Sequence, residues 1–167
     1  KNVLWTVDSG QGTSSPVIVA GQLYFTSFTD DERTLHCLDA KTGETKWAKS
    51  VKKVHDENGT RPAGPATCTP AANGSHVVVF FPDAGFCCFS ADGEKCWQAE
   101  VGPFYSMHGI SGSPIIAGDK AILQVDQLRG SFVAAYDLKS GEKTWNVERL
   151  DGLTGGYSTP STITDSE

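Results

Sequence analysis

Apolar and polar residues alternate along the chain in short runs, each broken by a glycine-containing turn. Residues 14–20 lead through Gly21 to residues 22–27, where Leu23 and Phe25 alternate with polar neighbours. Residues 34–39 then lead through Lys41-Thr42-Gly43 to residues 44–50. The same order returns as 67–72, Asn73-Gly74, 75–81, 86–90, Asp92-Gly93 and 94–101. It returns once more as 112–117, Gly118-Asp119, 120–125, 131–137, Ser140-Gly141 and 142–147. Period-two alternation marks strands, and Asn-Gly or Asp-Gly between such runs marks hairpins, because the central residues need positive φ. No stretch sustains a helical period over about 10–12 residues.

The runs form a repeat. Trp5, Trp47, Trp97 and Trp145 recur in phase, and three of them close the same pattern. These are Gly43-Glu44-Thr45-Lys46-Trp47, Gly93-Glu94-Lys95-Cys96-Trp97 and Gly141-Glu142-Lys143-Thr144-Trp145. A second marker, a hydroxyl residue before proline, recurs at Ser15-Pro16, Thr69-Pro70, Ser113-Pro114 and Thr159-Pro160. Four short antiparallel strands per unit, at a period of roughly 45 residues, predict the blades of a β-propeller. One partial propeller domain therefore spans residues 1–167, with full blades at 14–50, 67–101 and 112–148. Strands at 1–6 and 159–164 flank them, and the middle strands of a fourth blade are missing between these two. Gly43, Gly93 and Gly141 provide the tight turn before each outer strand. Trp47, Trp97 and Trp145 are expected to fill the gap to the neighbouring sheet. Burying one Trp removes roughly 150–250 Å² from water, worth about 4–6 kcal/mol as an upper bound.

Composition narrows the classes further. Apolar residues make up 38% and charged residues 20% of 167 positions, with 18 Gly and 8 Pro, a folded, turn-rich composition. A net charge of −6 leaves no general attraction for nucleic acid. No apolar run approaches the roughly 18 residues of a membrane span. Cys37, Cys68, Cys87, Cys88 and Cys96 include no C-x-x-C and no zinc-finger spacing. All five fall in strand-like runs and read as buried thiols.

The pattern Leu38-Asp39-Ala40-Lys41-Thr42-Gly43-Glu44-Thr45-Lys46-Trp47 resembles the tryptophan-docking repeat of the pyrroloquinoline-quinone-like (PQQ-like) propellers. So does Tyr136-Asp137-Leu138-Lys139-Ser140-Gly141-Glu142-Lys143-Thr144-Trp145, whereas the copy ending at Trp97 has Ser90 at the Asp position and a turn one residue shorter. The runs Met107-His108-Gly109 and Gly156-Tyr157-Ser158-Thr159-Pro160 resemble most the bacterial PQQ-binding-like repeat proteins. The resemblance implies a quinoprotein-type fold of about eight blades and two classes of function. One is a non-catalytic scaffold, such as the outer-membrane barrel-assembly lipoprotein. The other is a quinone-dependent alcohol or sugar dehydrogenase, in which PQQ and calcium would be the cofactors. It also implies a periplasmic or secreted location. In some family dehydrogenases an adjacent-cysteine disulfide covers the quinone, but Cys87-Cys88 lies within a strand and reads as core.

Candidate binding residues fall in the long connections, which share one face of a propeller. His55, Asp56, Glu57 and Arg61 occupy one loop, Tyr105 and His108 a second, and Asp126, Gln127 and Arg129 a third. His55, Arg61, Tyr105, His108, Asp126 and Arg129 are therefore the candidate ligand-binding set. A calcium-quinone site needs oxygen ligands, an aromatic floor and a carboxylate base. Asp56, Glu57 and Asp126 are the available oxygens, and no spacing marks them as a set. No catalytic or metal-binding motif stands out: G-x-S-x-G, P-loop and G-x-G-x-x-G patterns are all missing. Asn58-Gly59-Thr60 and Asn73-Gly74-Ser75 match the glycosylation sequon but read as turns, and Lys46, Lys49, Lys52 and Lys53 read as a solvated edge. The expected function is a scaffold presenting loops to a protein or other ligand, its partners being the rest of its own propeller or a second copy. A fragment of a PQQ- and calcium-dependent dehydrogenase is the alternative.

Overall fold

The computed structural model describes residues 2–56, 64–152 and 155–163. Strands β1 (Val17–Val19), β2 (Gln22–Phe28), β3 (Glu32–Asp39) and β4 (Thr45–Lys52) form the first antiparallel sheet. Strands β5 (Ala71–Ala72), β6 (His76–Phe81), β7 (Gly85–Ser90) and β8 (Lys95–Ala99) form the second. Strands β9 (Ile115–Ala117), β10 (Lys120–Val125), β11 (Phe132–Asp137) and β12 (Lys143–Glu148) form the third. Each sheet runs inner to outer in chain order, as a propeller blade does.

Alternation distributes side chains between the two inter-blade cores. Tyr24, Leu35 and Cys37 of the first blade meet Val77, Val79, Phe81, Cys87 and Phe89 of the second. The opposite face of the second blade carries Val78, Phe80, Phe86 and Cys88, which meet Leu123, Ala134 and Tyr136 of the third. The middle strands of the second blade are thus buried on both faces, which explains the near-continuous apolar runs at 77–81 and 86–89.

Both sequence markers turn out to be joints between blades. Trp5, Trp47 and Trp97 each lie on the turn glycine of the following unit, at Gly43, Gly93 and Gly141 respectively. A β-carbon on those glycines would stand 2.6–2.8 Å from the nearest indole carbon, and their φ values of +77°, +86° and +75° already favour glycine. Each indole N–H donates to a carbonyl in the same turn: Trp5 to Ala40 at 3.3 Å, Trp47 to Ala91 at 3.0 Å and Trp97 to Leu138 at 2.9 Å. The hydroxyls before proline link the inner edges. The amide of Ser15 donates to Thr69 Oγ1 at 3.2 Å, and the amide of Thr69 donates to Ser113 Oγ at 2.9 Å.

Three expectations are corrected. Residues 2–6 and 159–163 form no strand, since among the described residues no neighbouring strand pairs with them; Thr164 lies outside the described residues. Trp5 nevertheless takes its seat on Gly43. Cys96 is exposed rather than buried, because it is the extra residue of a bulge in β8, and Cys68 is buried but lies just ahead of β5 rather than within a strand. Trp145 is 42% exposed, for among the described residues no turn of a following blade covers it.

Candidate functional site

The long connections do gather on one face. The segment after β4 is bound both to the β2–β3 turn of its own blade, through the Lys53 amide and the Asp31 carbonyl at 3.0 Å, and to the next blade. There the Val54 and His55 amides donate to the Asp83 carbonyl at 2.9 and 3.3 Å. Beneath this crossing Arg33 and Asp83 form a buried ion pair. Arg33 Nε donates to both carboxylate oxygens at 2.9 and 3.1 Å, and Nη1 donates to the Thr29 carbonyl at 2.6 Å. The pair clamps the first blade to the second. His55 stands above it, between one cleft lined by Thr29, Asp31, Glu32 and Asp56 and another lined by Gly85, Glu100, Val101 and Pro103. Glu57, Arg61 and the Asn58 sequon lie outside the described residues.

A second cluster lies over the junction of the second and third blades. The Arg129 guanidinium sits 3.8 Å from the centre of the Tyr105 ring. Gln127, buried, holds this arrangement: its Oε1 accepts from the Tyr105 amide at 2.7 Å, and its Nε2 donates to the Gly130 carbonyl at 3.0 Å. The Leu128 amide donates to the Tyr105 carbonyl at 3.0 Å, and the Gly152 amide to the Leu128 carbonyl at 2.9 Å. Three loops are thereby interlocked. Tyr105, Met107, His108, Leu128 and Arg129 lie exposed on their surface.

Asp126 plays a different part from the one its loop position predicts. It is 5% exposed, and Arg149 Nε donates to its Oδ1 at 2.5 Å while Gln124 Nε2 donates to Oδ2 at 2.8 Å. The Arg149 guanidinium holds this carboxyl below the usual carboxylate range against the opposing effect of burial. It is an anchor for the segment after β12, with the Gly156 amide donating to its carbonyl at 3.0 Å. Tyr105 and Arg129 are thus brought together, His108 shares their loop cluster, and His55 belongs to the other junction. Arg33, Asp83 and Arg149 escaped the sequence reading, and Gln127 was named in its loop but not in the candidate ligand-binding set. The only cue to them was their place at the ends of strands beside the long connections.

The described residues do not fit a calcium-quinone set. Among them no three His, Cys, Asp or Glu side chains converge on one point, and both Asp126 oxygens are engaged by protein donors. Cys87 and Cys88 are both free thiols and point into different cores. No helix among the described residues is long and apolar enough to cross a membrane.

Four-stranded blades joined by Trp-on-Gly seats, with interlocked loops on one face, define an arc of a PQQ-type β-propeller. The family model described as "Outer membrane protein assembly factor BamB" matches residues 2–158, and the chain belongs to that family. No curated protein sequence matches closely enough to count as a relative. Among solved structures the chain is similar to a europium-containing methanol dehydrogenase, with 18% identity and a TM-score of 0.63 over 86% of this chain and 26% of that one. It is also similar to BamB from Moraxella catarrhalis, with 17% identity and a TM-score of 0.53 over 81% of this chain and 36% of that one. A third is the quinohemoprotein alcohol dehydrogenase from Comamonas testosteroni, with 21% identity and a TM-score of 0.58 over 84% of this chain and 21% of that one. The chain spans about a third or less of each of these structures, and the likeness is one of fold.

Proposed function

We propose that this chain is part of a non-catalytic propeller that presents its loop face to a protein partner outside the cytoplasm. The observation that carries this reading is the division of labour on that face. Its buried charges are paired, Arg33 with Asp83 and the Asp126 carboxylate with the exposed Arg149, whereas Tyr105, Met107, Leu128 and Arg129 lie outward on loops that Gln127 pins at the Tyr105 amide and the Gly130 carbonyl. Tyr, Met and Arg on a rigid base are the residue types enriched at protein interfaces. Membership of a family named for outer-membrane assembly supports both the scaffold role and the location. No resident cofactor belongs to this reading.

Two measurements test it. A photo-crosslinking residue at Tyr105 should trap a protein in the native cell, and the same residue at Lys139, on the turn opposite the loop face, should not. Equal trapping at both positions counts against the interface. The full-length protein supplied with PQQ and calcium should give no dye-coupled oxidation of alcohols or sugars. Turnover there would replace the scaffold reading with that of a quinone-dependent dehydrogenase.

A further inference from the structure

Cys88 and Cys96 meet across the bulge of the second blade. Every outer strand carries one extra residue at the same place, namely Lys46 in β4, Cys96 in β8 and Thr144 in β12. A bulge sets this residue and the next one opposite a single residue of the neighbouring strand. That opposing residue is Cys37 in the first blade, Cys88 in the second and Ala135 in the third. The third blade shows how near the two positions are, for the Thr144 hydroxyl donates to the Ala135 carbonyl at 3.1 Å. Only the second blade has cysteine at both. The Cys88 thiol is buried and lies 3.8 Å from each of the carbonyls of Phe89 and Leu138, while the Cys96 thiol is exposed and lies 3.7 Å from the Glu94 carbonyl. Cys87, next in sequence, is no competitor, because it faces the core between the first and second blades.

We propose that Cys88 and Cys96 are the site of a reversible disulfide that staples the outer strand β8 to β7. The oxidant is a small disulfide of the glutathione class. The Cys96 thiolate attacks one sulfur of that disulfide, forming a mixed disulfide and releasing one small thiol. Deprotonated Cys88 then attacks Cys96 Sγ, which forms the protein disulfide and releases the second small thiol. Two protein thiols are oxidised and one small disulfide is reduced to two thiols, so electrons and protons balance. Burial and the neighbouring Cys96 push the Cys88 thiol up, which leaves little thiolate for the second step near neutrality. The mixed disulfide should therefore build up first and resolve faster as pH rises. The staple closes the strand that carries Trp97, the joint to the third blade. This inference does not depend on the scaffold reading.

The test uses the folded chain with glutathione disulfide in mildly alkaline buffer, followed by denaturation and maleimide blocking. Two fewer cysteines should take maleimide than in the untreated chain. Cleavage after Lys95 should give a disulfide-linked pair of peptides in which fragmentation places the bond at Cys88 and Cys96. Cys96→Ser, a change at an exposed position, should leave maleimide uptake the same with and without oxidant. Unchanged uptake in the wild-type chain overturns the proposal. So does a lasting glutathione adduct on Cys96, or a bond from Cys88 to any other cysteine.

Discussion

Trp97 lies against Gly141 of the next blade, its Cγ 2.6 Å from where a β-carbon would stand, and donates its indole N–H to the Leu138 carbonyl at 2.9 Å. The ring also stacks on Tyr136, with 6.3 Å between ring centres. A single side chain therefore supplies apolar burial, a satisfied polar handle and steric selection of the facing residue. It explains why Gly and Trp recur together in the sequence: the Trp of one unit and the Gly of the next form one joint.

The four tryptophans should differ in worth accordingly. Trp97→Ala removes a ring that is 9% exposed and should destabilise by about 3–5 kcal/mol. Trp145→Ala removes one that is 42% exposed and should cost roughly 0.5 kcal/mol. Gly141→Ala must displace the Trp97 ring and hold φ at +75°, so it should cost more than about 1 kcal/mol. Urea midpoints measure all three. Equal shifts for Trp97 and Trp145 would remove the joint as the source of stability.

A thiol reagent should find one reactive cysteine in the native chain. Cys96 is exposed, whereas burial pushes the Cys68 and Cys87 thiols up to about 12 and raises those of Cys37 and Cys88 as well. The thiolate is the nucleophile, so the buried four should react only as the protein unfolds. Mass spectrometry after brief alkylation should show one adduct, on Cys96. Rapid native labelling of Cys37 or Cys68 would contradict the packing described above.

These contrasts show what could be read from the sequence. Strands, turns and joints repeat, and each marker meets its counterpart one unit later, so period alone exposed the three blades. The ion pairs do not repeat. Arg33 has Ala84 and Ser131 at its equivalent positions in the second and third blades, and its partner Asp83 lies 50 residues away. No spacing rule connects them. Asp126 was legible as a loop carboxylate, but its use was decided by Arg149, which reaches it from just beyond β12. Exposure of Cys96 and Trp145 likewise depended on a bulge register and on the absence of a covering turn, both set by tertiary structure.

Asp126 gives the fold a pH dependence of known sign. The Arg149 guanidinium depresses its pKa in the folded state, so the folded form binds fewer protons than the unfolded form around pH 4. The pair's contribution is present above the unfolded value and is lost as pH falls through the folded one. Asp126→Asn should cost about 1–3 kcal/mol at neutral pH and flatten the decline in stability below about pH 4. Thermal melts across that range measure it. An unchanged acid limb in the variant would mean that the pair carries no linkage.

Association should depend on whether the seat at Gly43 is free. The outward face of the third blade leaves Trp145 42% and Val147 54% exposed, an apolar surface of the kind that recruits other chains. In a head-to-tail contact between two copies, Trp145 of one would seek the place that Trp5 holds in the other. Trp5 already fills it, with its indole 2.6 Å from a β-carbon position on Gly43 and its N–H on Ala40. The receiving face is also more polar than the interior joints. Ser27 and His36, joined at 2.7 Å, stand where the second blade has Phe81 and Cys87 and the third has Val125 and Ala134. The wild-type chain should associate through its exposed third blade, and Trp145→Glu should weaken that association. Trp5→Ala should strengthen it by opening the seat at Gly43. Sedimentation velocity across micromolar concentrations separates the three chains. Identical compact monomers in all of them would show that the open arc needs no cover and that Trp5 guards nothing.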